Sequence, residues 1–259
     1  MHHVVPNEGC DLHYWQRGSG RPVVFVHGAG ADHSVFDHQF EAVAEAGFRA
    51  VSWDLRGHGL SRPATQPINP DSLLSDLSAV IADLAQTHRP VLVGHSLGSQ
   101  LVQAYARRYP YRALVSIAGA FNEAPQSVGP RLLHGLTALS VRALPGRALV
   151  ATSSRCGALL PASRTKLAAT ASRLEPAELR AALLAGHQFA VPDAHYRCVM
   201  PVCLVRGAHD RLGDKLSDAG LWAERQGVPD RVLTGAGHAV PLDDPAGLNA
   251  ILLRFLAEL

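Results

Sequence analysis

The stretch from Val91 to Ser99 constrains the fold of this chain more than any other part of the sequence. An apolar run leads directly into Gly-X-Ser-X-Gly and is followed by a helical pattern, which predicts a strand, a sharp turn and a helix. We expect Gly94 and Gly98 to be required because a side chain at either position would collide with the neighbouring strand or helix. Ser96 would then stand exposed above the sheet at a helix N-terminus, where free N–H groups favour negative charge.

The composition is that of an ordinary globular protein. The chain has 259 residues, of which 47% are hydrophobic and 18% charged, enough for one large domain with a deep core. Its 24 Lys and Arg residues against 22 Asp and Glu give a net charge of +2, so no field suited to nucleic acid is implied. No signal-type apolar region and no long apolar run is present, so we expect no membrane span. The expected partner is a small-molecule substrate, and the expected state is a monomer or a homodimer.

The cysteine and histidine patterns do not indicate a metal site. Fourteen histidines are present, but there is no H-E-x-x-H, and the spacing of His33 and His38 does not place both on one helix face. We therefore expect neither a metal nor a cofactor. The cysteines form no C-x-x-C, and we expect reduced thiols in a cytoplasmic protein. They are Cys10, Cys156, Cys198 and Cys203.

Strand and helix patterns alternate along most of the chain, which predicts an α/β fold with a mostly parallel central sheet flanked by helices. A strong helix, for example, is opened by Asn69-Pro70-Asp71 and carries an apolar stripe at 3.6-residue spacing. The alternation stops after the sixth predicted strand, Ala113–Ile117. Several helical patterns follow without a clear strand: Leu132–Leu136 with Leu139, Leu167–Leu174, and Pro176–Leu184.

We name residues 121–196 the cap segment. We expect it to form a helical cap over the carboxyl ends of the strands, the edge where open α/β sheets bind ligands. Residues 1–120 and 197–259 would form the core. A helical subdomain with no role in the site is the alternative.

Three side chains could act together on a substrate. A serine hydroxyl is a weak nucleophile that needs a base within hydrogen-bond reach, and the base needs a third group to fix its tautomer. His238 lies in a glycine-rich loop after the last predicted strand, and Asp210 directly follows another. Both would lie at the same sheet edge as Ser96.

Five segments in this order resemble an α/β-hydrolase with a cap, and the resemblance covers nearly the whole chain. They are His27-Gly28, Asp54–Ser61, Gly94–Gly98, Gly207–Asp210 and Gly237-His238. The resemblance implies Ser96 as nucleophile, Asp210 as orienting acid and His238 as general base. It also implies an oxyanion hole made by the backbone N–H groups of Leu97 and Ala29.

Other residues compete for these roles. Asp214 could replace Asp210 if the loop is shifted. In some relatives the acid of the triad follows the preceding strand, and Glu123 is a weak alternative at that place. His95 is expected to point away from Ser96 into packing, and His209 toward a pocket wall or the surface.

The segment from Asp54 to Ser61 matches a motif that is mainly structural in the family. We interpret Asp54 and Arg56 as an ion pair that holds a turn.

The nucleophile's identity narrows the chemistry. Relatives that open epoxides or displace halide carry Asp at this position, so Ser96 favours an acyl-enzyme route. The resemblance implies a carboxylic ester hydrolase. Relatives with the same triad also cleave C–C bonds, lactones or thioesters, act as peroxidase-type enzymes, or use oxygen without a cofactor, and some related scaffolds are non-catalytic receptors for small ligands.

No substrate-binding residue is assigned. The residues from Phe121 to Met200 carry nine basic and four acidic side chains, a charge of +5 that could attract an anionic group. The richness of the cap segment in Leu and Ala favours a mostly apolar pocket for a small or medium acyl group.

Overall fold

The computed structural model of the chain describes residues 1–85, 88–124, 138–212 and 219–259. Within these residues, eight strands form one sheet in the order β1-β2-β4-β3-β5-β6-β7-β8. The first two pairings, β1 with β2 and β2 with β4, are antiparallel, and all the others are parallel. The predicted mostly parallel sheet is therefore confirmed. The strands are β1 (His2–Asn7), β2 (Cys10–Arg17), β3 (Pro22–Val26), β4 (Arg49–Trp53), β5 (Val91–His95), β6 (Ala113–Ile117), β7 (Val202–Gly207) and β8 (Asp230–Leu233).

Helices cover both faces of this sheet. The side chains of β3 point alternately into the two apolar cores that result. Val24 and Val26 belong to a core shared with α2 and α3, whereas Val23 and Phe25 belong to one shared with α1 and α9. A strand buried on both faces must be apolar throughout, which explains its unbroken run. The helices are α1 (Asp37–Glu45), α2 (Pro70–Asp83), α3 (Leu97–Ala106), α4 (Gly146–Gly157), α5 (Pro161–Ala171), α6 (Pro176–Gln188), α7 (Ala219–Gln226), α8 (Val240–Asp243) and α9 (Pro245–Ala257).

The described part of the cap segment is helical, with α4, α5 and α6 preceded by a helical stretch at 138–143. The predicted helix at Leu132–Leu136 lies outside the described residues. The helix predicted at Leu167–Leu174 instead begins at Pro161, a residue favoured in the first turn, and ends at Ala171. The sequence patterns did not predict the helix α4 at Gly146–Gly157.

Two cap helices lie against the loop that follows β3. Thr170 Oγ1 in α5 donates to the carbonyl of Gly30 at 2.9 Å. An added Cβ at Gly30 would lie 3.0 Å from Leu179 of α6. These contacts place α5 and α6 beside the edge of the sheet where the strands end. Among the described helices, none combines the length and the apolar character needed to cross a membrane.

Candidate active site

The turn between β5 and α3 holds Ser96 in the left-handed region, with φ 54° and ψ −117°. Its two glycines are required by close backbone contacts. An added Cβ at Gly94 would lie 2.4 Å from the carbonyl oxygen of Gly98, and one at Gly98 would lie 2.0 Å from that of Val26. A non-glycine residue with positive φ is uncommon and strained, and here the surrounding contacts hold it in place.

Three loops at the carboxyl ends of β5, β7 and β8 bring together the side chains of Ser96, Asp210 and His238. His238 Nε2 lies 2.8 Å from Ser96 Oγ, and His238 Nδ1 lies 2.8 Å from Asp210 Oδ2. The second Asp210 oxygen accepts from the backbone N–H of Leu212 at 2.8 Å. The side chains of His238 and Asp210 are 12% and 2% exposed. Since the carboxylate accepts the Nδ1 proton, Nε2 is left to accept a proton from the serine hydroxyl.

The loop after β3 runs directly beside this serine. An added Cβ at Gly28 would lie 3.0 Å from Ser96 Cβ, so a glycine allows this loop to approach the serine closely without displacing it. The next residue is the half-buried Ala29, and Leu97 is the first residue of α3. The N–H of a first helical residue has no acceptor within its own helix, so it is available to a ligand.

Two buried histidines hold the Gly28–Gly30 loop. His58 Nε2 accepts from the backbone N–H of Gly30 at 3.1 Å, while its Nδ1 donates to the carbonyl of Arg56. His27 Nε2 accepts from the N–H of Leu55 at 3.0 Å, and its Nδ1 donates to the carbonyl of Gly28. Burial lowers the pKa of both imidazoles, that of His58 to about 3. Both rings are thus neutral, each in a tautomer set by backbone partners.

His95 also contacts the loop of His238. Its Nε2 donates to the backbone carbonyl of His238 at 2.9 Å, and its ring is buried. Burial, followed by the neighbouring His238, lowers the pKa of the His95 imidazole to about 3. His95 therefore packs as the sequence predicted and holds the backbone of the loop rather than the hydroxyl of Ser96.

The other competing residues lie elsewhere. His209 is exposed. The buried carboxylate of Glu123 pairs with Arg107 at 3.2 Å rather than with His238. Asp214 lies outside the described residues.

The expected ion pair between Asp54 and Arg56 is wrong. Arg56 donates through Nε and Nη2 to the two carboxylate oxygens of Asp76 in α2, both at 2.6 Å. Asp54 instead lies 2.8 Å from His33 Nδ1 and accepts from the backbone N–H groups of His33 at 2.8 Å and Leu60 at 2.7 Å. The physical reason is enclosure, since an added Cβ at Gly59 would lie 2.0 Å from the Asp54 carboxylate.

The described residues contain no group of three or more His, Cys, Asp or Glu side chains that could hold a metal ion. The chemistry that the described arrangement can support is proton transfer from a serine hydroxyl to an imidazole, next to a glycine-rich loop and a helix N-terminus. These last two features can offer N–H groups to a developing negative charge.

Comparisons with known proteins place this geometry in a family. A profile described as "Alpha/beta hydrolase family" matches residues 23–251. The chain is 35% identical over 102 residues to the non-heme chloroperoxidase CPO-A1 of Kitasatospora aureofaciens, a match that spans 39% of this chain and 37% of that protein. It is 26% identical over 245 residues to the 2-(acetamidomethylene)succinate hydrolase of Mesorhizobium japonicum, covering 88% of this chain and 85% of that one.

Solved structures agree at the level of the fold. A thermophilic esterase from Thermogutta terrifontis, solved with malate bound, superposes with a TM-score of 0.82 at 21% identity, over 100% of this chain and 98% of the esterase. The family profile covers most of the chain, from residue 23 to residue 251. The fold that it matches here is one mostly parallel sheet with helices on both faces. The chain therefore belongs to the alpha/beta hydrolase family.

Proposed function

We propose that this enzyme is a serine hydrolase that cleaves a carboxylic ester or a related acyl bond through an acyl-enzyme. The observation that supports this proposal is the unbroken pair of 2.8 Å contacts from Ser96 Oγ through His238 to Asp210. The likeness to an esterase of known structure and to a hydrolase matched over most of the chain supports the same class.

The proposed reaction begins when Ser96 Oγ attacks the carbonyl carbon and its proton passes to His238 Nε2. Asp210 keeps the imidazole oriented and stabilises its positive charge. The negative oxygen of the tetrahedral intermediate accepts from the N–H groups of Leu97 and Ala29, and losing one such donor typically costs about 10²- to 10³-fold in rate. The leaving alcohol takes the proton from His238.

Deacylation repeats these steps with water. His238 removes a proton from the water, whose oxygen attacks the acyl carbon, and the intermediate collapses to release the acid and restore Ser96. Ala182 and Ala185 of α6 pack into the apolar core cluster that includes residues of α2 and α3, so part of the contact between the cap segment and the core is apolar. We therefore propose a small to medium, mostly apolar acyl group as substrate.

The decisive experiment compares p-nitrophenyl acetate, butyrate and octanoate turnover in the wild type and in Ser96→Ala. Removing the attacking oxygen should lower kcat by about 10⁴-fold or more. Ser99→Ala is the matched control, because Ser99 Oγ contacts Ser116 Oγ and lies outside the proposed proton relay. A fluorophosphonate should label Ser96 in the control and nothing in Ser96→Ala.

Equal turnover by the wild type and Ser96→Ala would rule out this mechanism. Measurable affinity for a small ligand, with no turnover across an ester, lactone and thioester panel, would favour a receptor instead.

Similarity to a chloroperoxidase favours a second candidate, the transfer of the acyl group to hydrogen peroxide instead of water. The product would be a peracid formed by the same three side chains. Peracid formation from acetate and hydrogen peroxide, lost in Ser96→Ala, is the measurement that tests it.

A further inference from the structure

The carboxylate of Asp243 joins two segments of the chain that are far apart in sequence. Its Oδ2 accepts from the backbone N–H of Gly237 at 3.0 Å and from that of Leu159 at 2.7 Å. Its Oδ1 accepts from the N–H of Leu160 at 3.0 Å. Gly237 immediately precedes His238, whereas Leu159 and Leu160 form the turn between the cap helices α4 and α5. One side chain thus binds the cap segment and the loop of the proposed base.

A second contact joins the same two segments on the other side of His238. The N–H of Ala239 donates to the carbonyl of Gly157 at 2.6 Å. The residues on both sides of His238 are therefore bonded to residues 157–160, one directly and one through Asp243. Asp243 itself is only 7% exposed. Its charge is stabilised by the backbone N–H groups that it orders.

The loop of His238 is enclosed between the sheet and the cap turn. An added Cβ at Gly207, the last residue of β7, would lie 2.1 Å from the carbonyl oxygen of Gly237. An added Cβ at Gly237 would lie 3.1 Å from the backbone nitrogen of Leu159. With β7 on one side and the cap turn on the other, the position of the loop depends on where residues 157–160 lie.

We propose that Asp243 is a positioning residue that couples the cap turn 157–160 to the alignment of His238. The imidazole is held in line with Ser96 only while this turn is in place, so the cap segment controls the proton relay as well as covering it. This inference rests on the proposed function, since it assigns how the base of that reaction is kept aligned. An aspartate is needed because three N–H donors converge on it, and an amide would turn an NH₂ group toward at least one of them.

The first test compares Asp243→Asn with Asp244→Asn. Asp244 is the matched control because it is the neighbouring carboxylate but caps α9, where it accepts from the N–H of Gly247. In Asp243→Asn we expect kcat for p-nitrophenyl butyrate to fall by about 10- to 100-fold with KM unchanged, as a small misplacement of a catalytic group predicts. Fluorophosphonate labelling of Ser96, counted per folded molecule, should slow by the same factor. Labelling at the wild-type rate would overturn the inference.

The second test needs no substrate. A proton held between an imidazole and a carboxylate gives a strongly downfield ¹H resonance, which here reports the contact between His238 and Asp210. This resonance should be present in the wild type and Asp244→Asn, and lost or exchange-broadened in folded Asp243→Asn. An unchanged resonance in Asp243→Asn would contradict the proposal. If instead Ser96→Ala retained ester turnover, the proposed function would fail while this measurement still reported on the loop.

A third test approaches the contact from the cap side. Leu160 has φ −82°, which proline allows, and is 42% exposed, so Leu160→Pro removes one N–H donor to Asp243 at a partly exposed position. We expect Leu160→Pro to lower kcat in the same direction, and the double variant with Asp243→Asn to be no worse than Asp243→Asn alone. Fully additive losses would show that the two positions act independently and would overturn the coupling.

Discussion

The histidines around Ser96 differ in whether they can exchange a proton at neutral pH, because they differ in burial and in hydrogen-bond partners. His238 bridges Ser96 and Asp210 at the edge of the sheet. His58 and His95 are buried and bonded to the backbone, and burial lowers the pKa of each to about 3. At neutral pH they are therefore uncharged, and they hold loops instead of exchanging protons.

These two lowered pKa values predict how stability depends on pH. In the unfolded chain both imidazoles protonate near their ordinary pKa of 6.5, whereas in the folded chain they stay neutral down to about 3. The unfolded state then binds more protons between these limits, so the free energy of unfolding falls as the pH is lowered from 6.5 toward 3. His58→Gln should show a shallower fall than the wild type in urea denaturation at pH 7, 5.5 and 4.5.

The exposed His209 provides the matched variant His209→Gln, which measures the effect of replacing a histidine by glutamine away from the buried site of His58. A His58→Gln curve parallel to that of the wild type at all three pH values would show that burial does not keep His58 neutral.

At the residue scale, the sequence singled out Ser96, Asp210 and His238 as candidates because each lies in a short segment with its own glycine-rich pattern, and the structure brings the three side chains into contact. It did not identify His58 or Asp243 as parts of the site. Each makes a hydrogen bond to the backbone of a distant segment; Asp243 and Leu159, for example, are 84 positions apart in the chain. Such a bond leaves no mark in the sequence around the donor or the acceptor.

At the scale of elements, the glycine-rich turn after β4 is fastened to α2 by Arg56 and Asp76. Both side chains are fully buried, and Asn7 Nδ2 also donates to Asp76 at 2.8 Å. The turn carries His58, which in turn holds Gly30. This buried ion pair therefore supports the loop beside Ser96 from below.

Breaking the pair should be costly. Asp76→Ala would leave the Arg56 charge buried without a partner, and we expect it to lower the free energy of unfolding by about 3–5 kcal/mol. Replacing both residues, with Arg56→Met and Asp76→Leu, should cost less than Asp76→Ala alone because no uncompensated charge remains. Urea denaturation of the three proteins measures this order, and the reverse order would contradict it.

Of the helices α2 and α4, the one whose N-terminus carries a capping residue was predicted from the sequence, and the one whose N-terminus does not was missed. At α2, Asn69 accepts from the N–H of Ser72 as an N-cap, and an apolar stripe follows, so its start was predicted correctly. At α4, the N-cap residue is Pro145 and no side chain caps the first turn. The start of α4 therefore carries no capping signal like that of Asn69 at α2.

At the scale of the whole molecule, part of the positive charge of the cap segment binds it to the core. Lys166 lies 3.4 Å from Asp37, and Arg173 lies 3.5 Å from Asp32. In both pairs the cation belongs to the cap segment and the anion to the core. Part of the charge of +5 counted over residues 121–200 therefore contributes to docking, which weakens the argument that it attracts an anionic substrate.

Neutralising these pairs should loosen the cap segment without unfolding the protein. In the double variant Lys166→Gln and Arg173→Gln, we expect faster hydrogen exchange in α5. The free energy of unfolding should stay within about 1 kcal/mol of the wild type, because both cations are solvent-exposed and the buried Asp32 keeps its hydrogen bonds from Ser34. Arg155→Gln, an exposed cation of the same segment, is the control. Unchanged exchange in α5 would mean that these two ion pairs do not help to dock it.

The direction of the strands has a practical consequence. Ser96, Asp210 and His238 all follow the carboxyl ends of parallel strands, whereas Ser19 and Gly47 lie exposed near the amino ends of β3 and β4. Five-residue strands separate these ends by about 16 Å. If the protein were immobilised on a solid support through residue 19, the edge of the sheet that carries Ser96, Asp210 and His238 would therefore face the solution. The point of attachment would lie at the opposite edge.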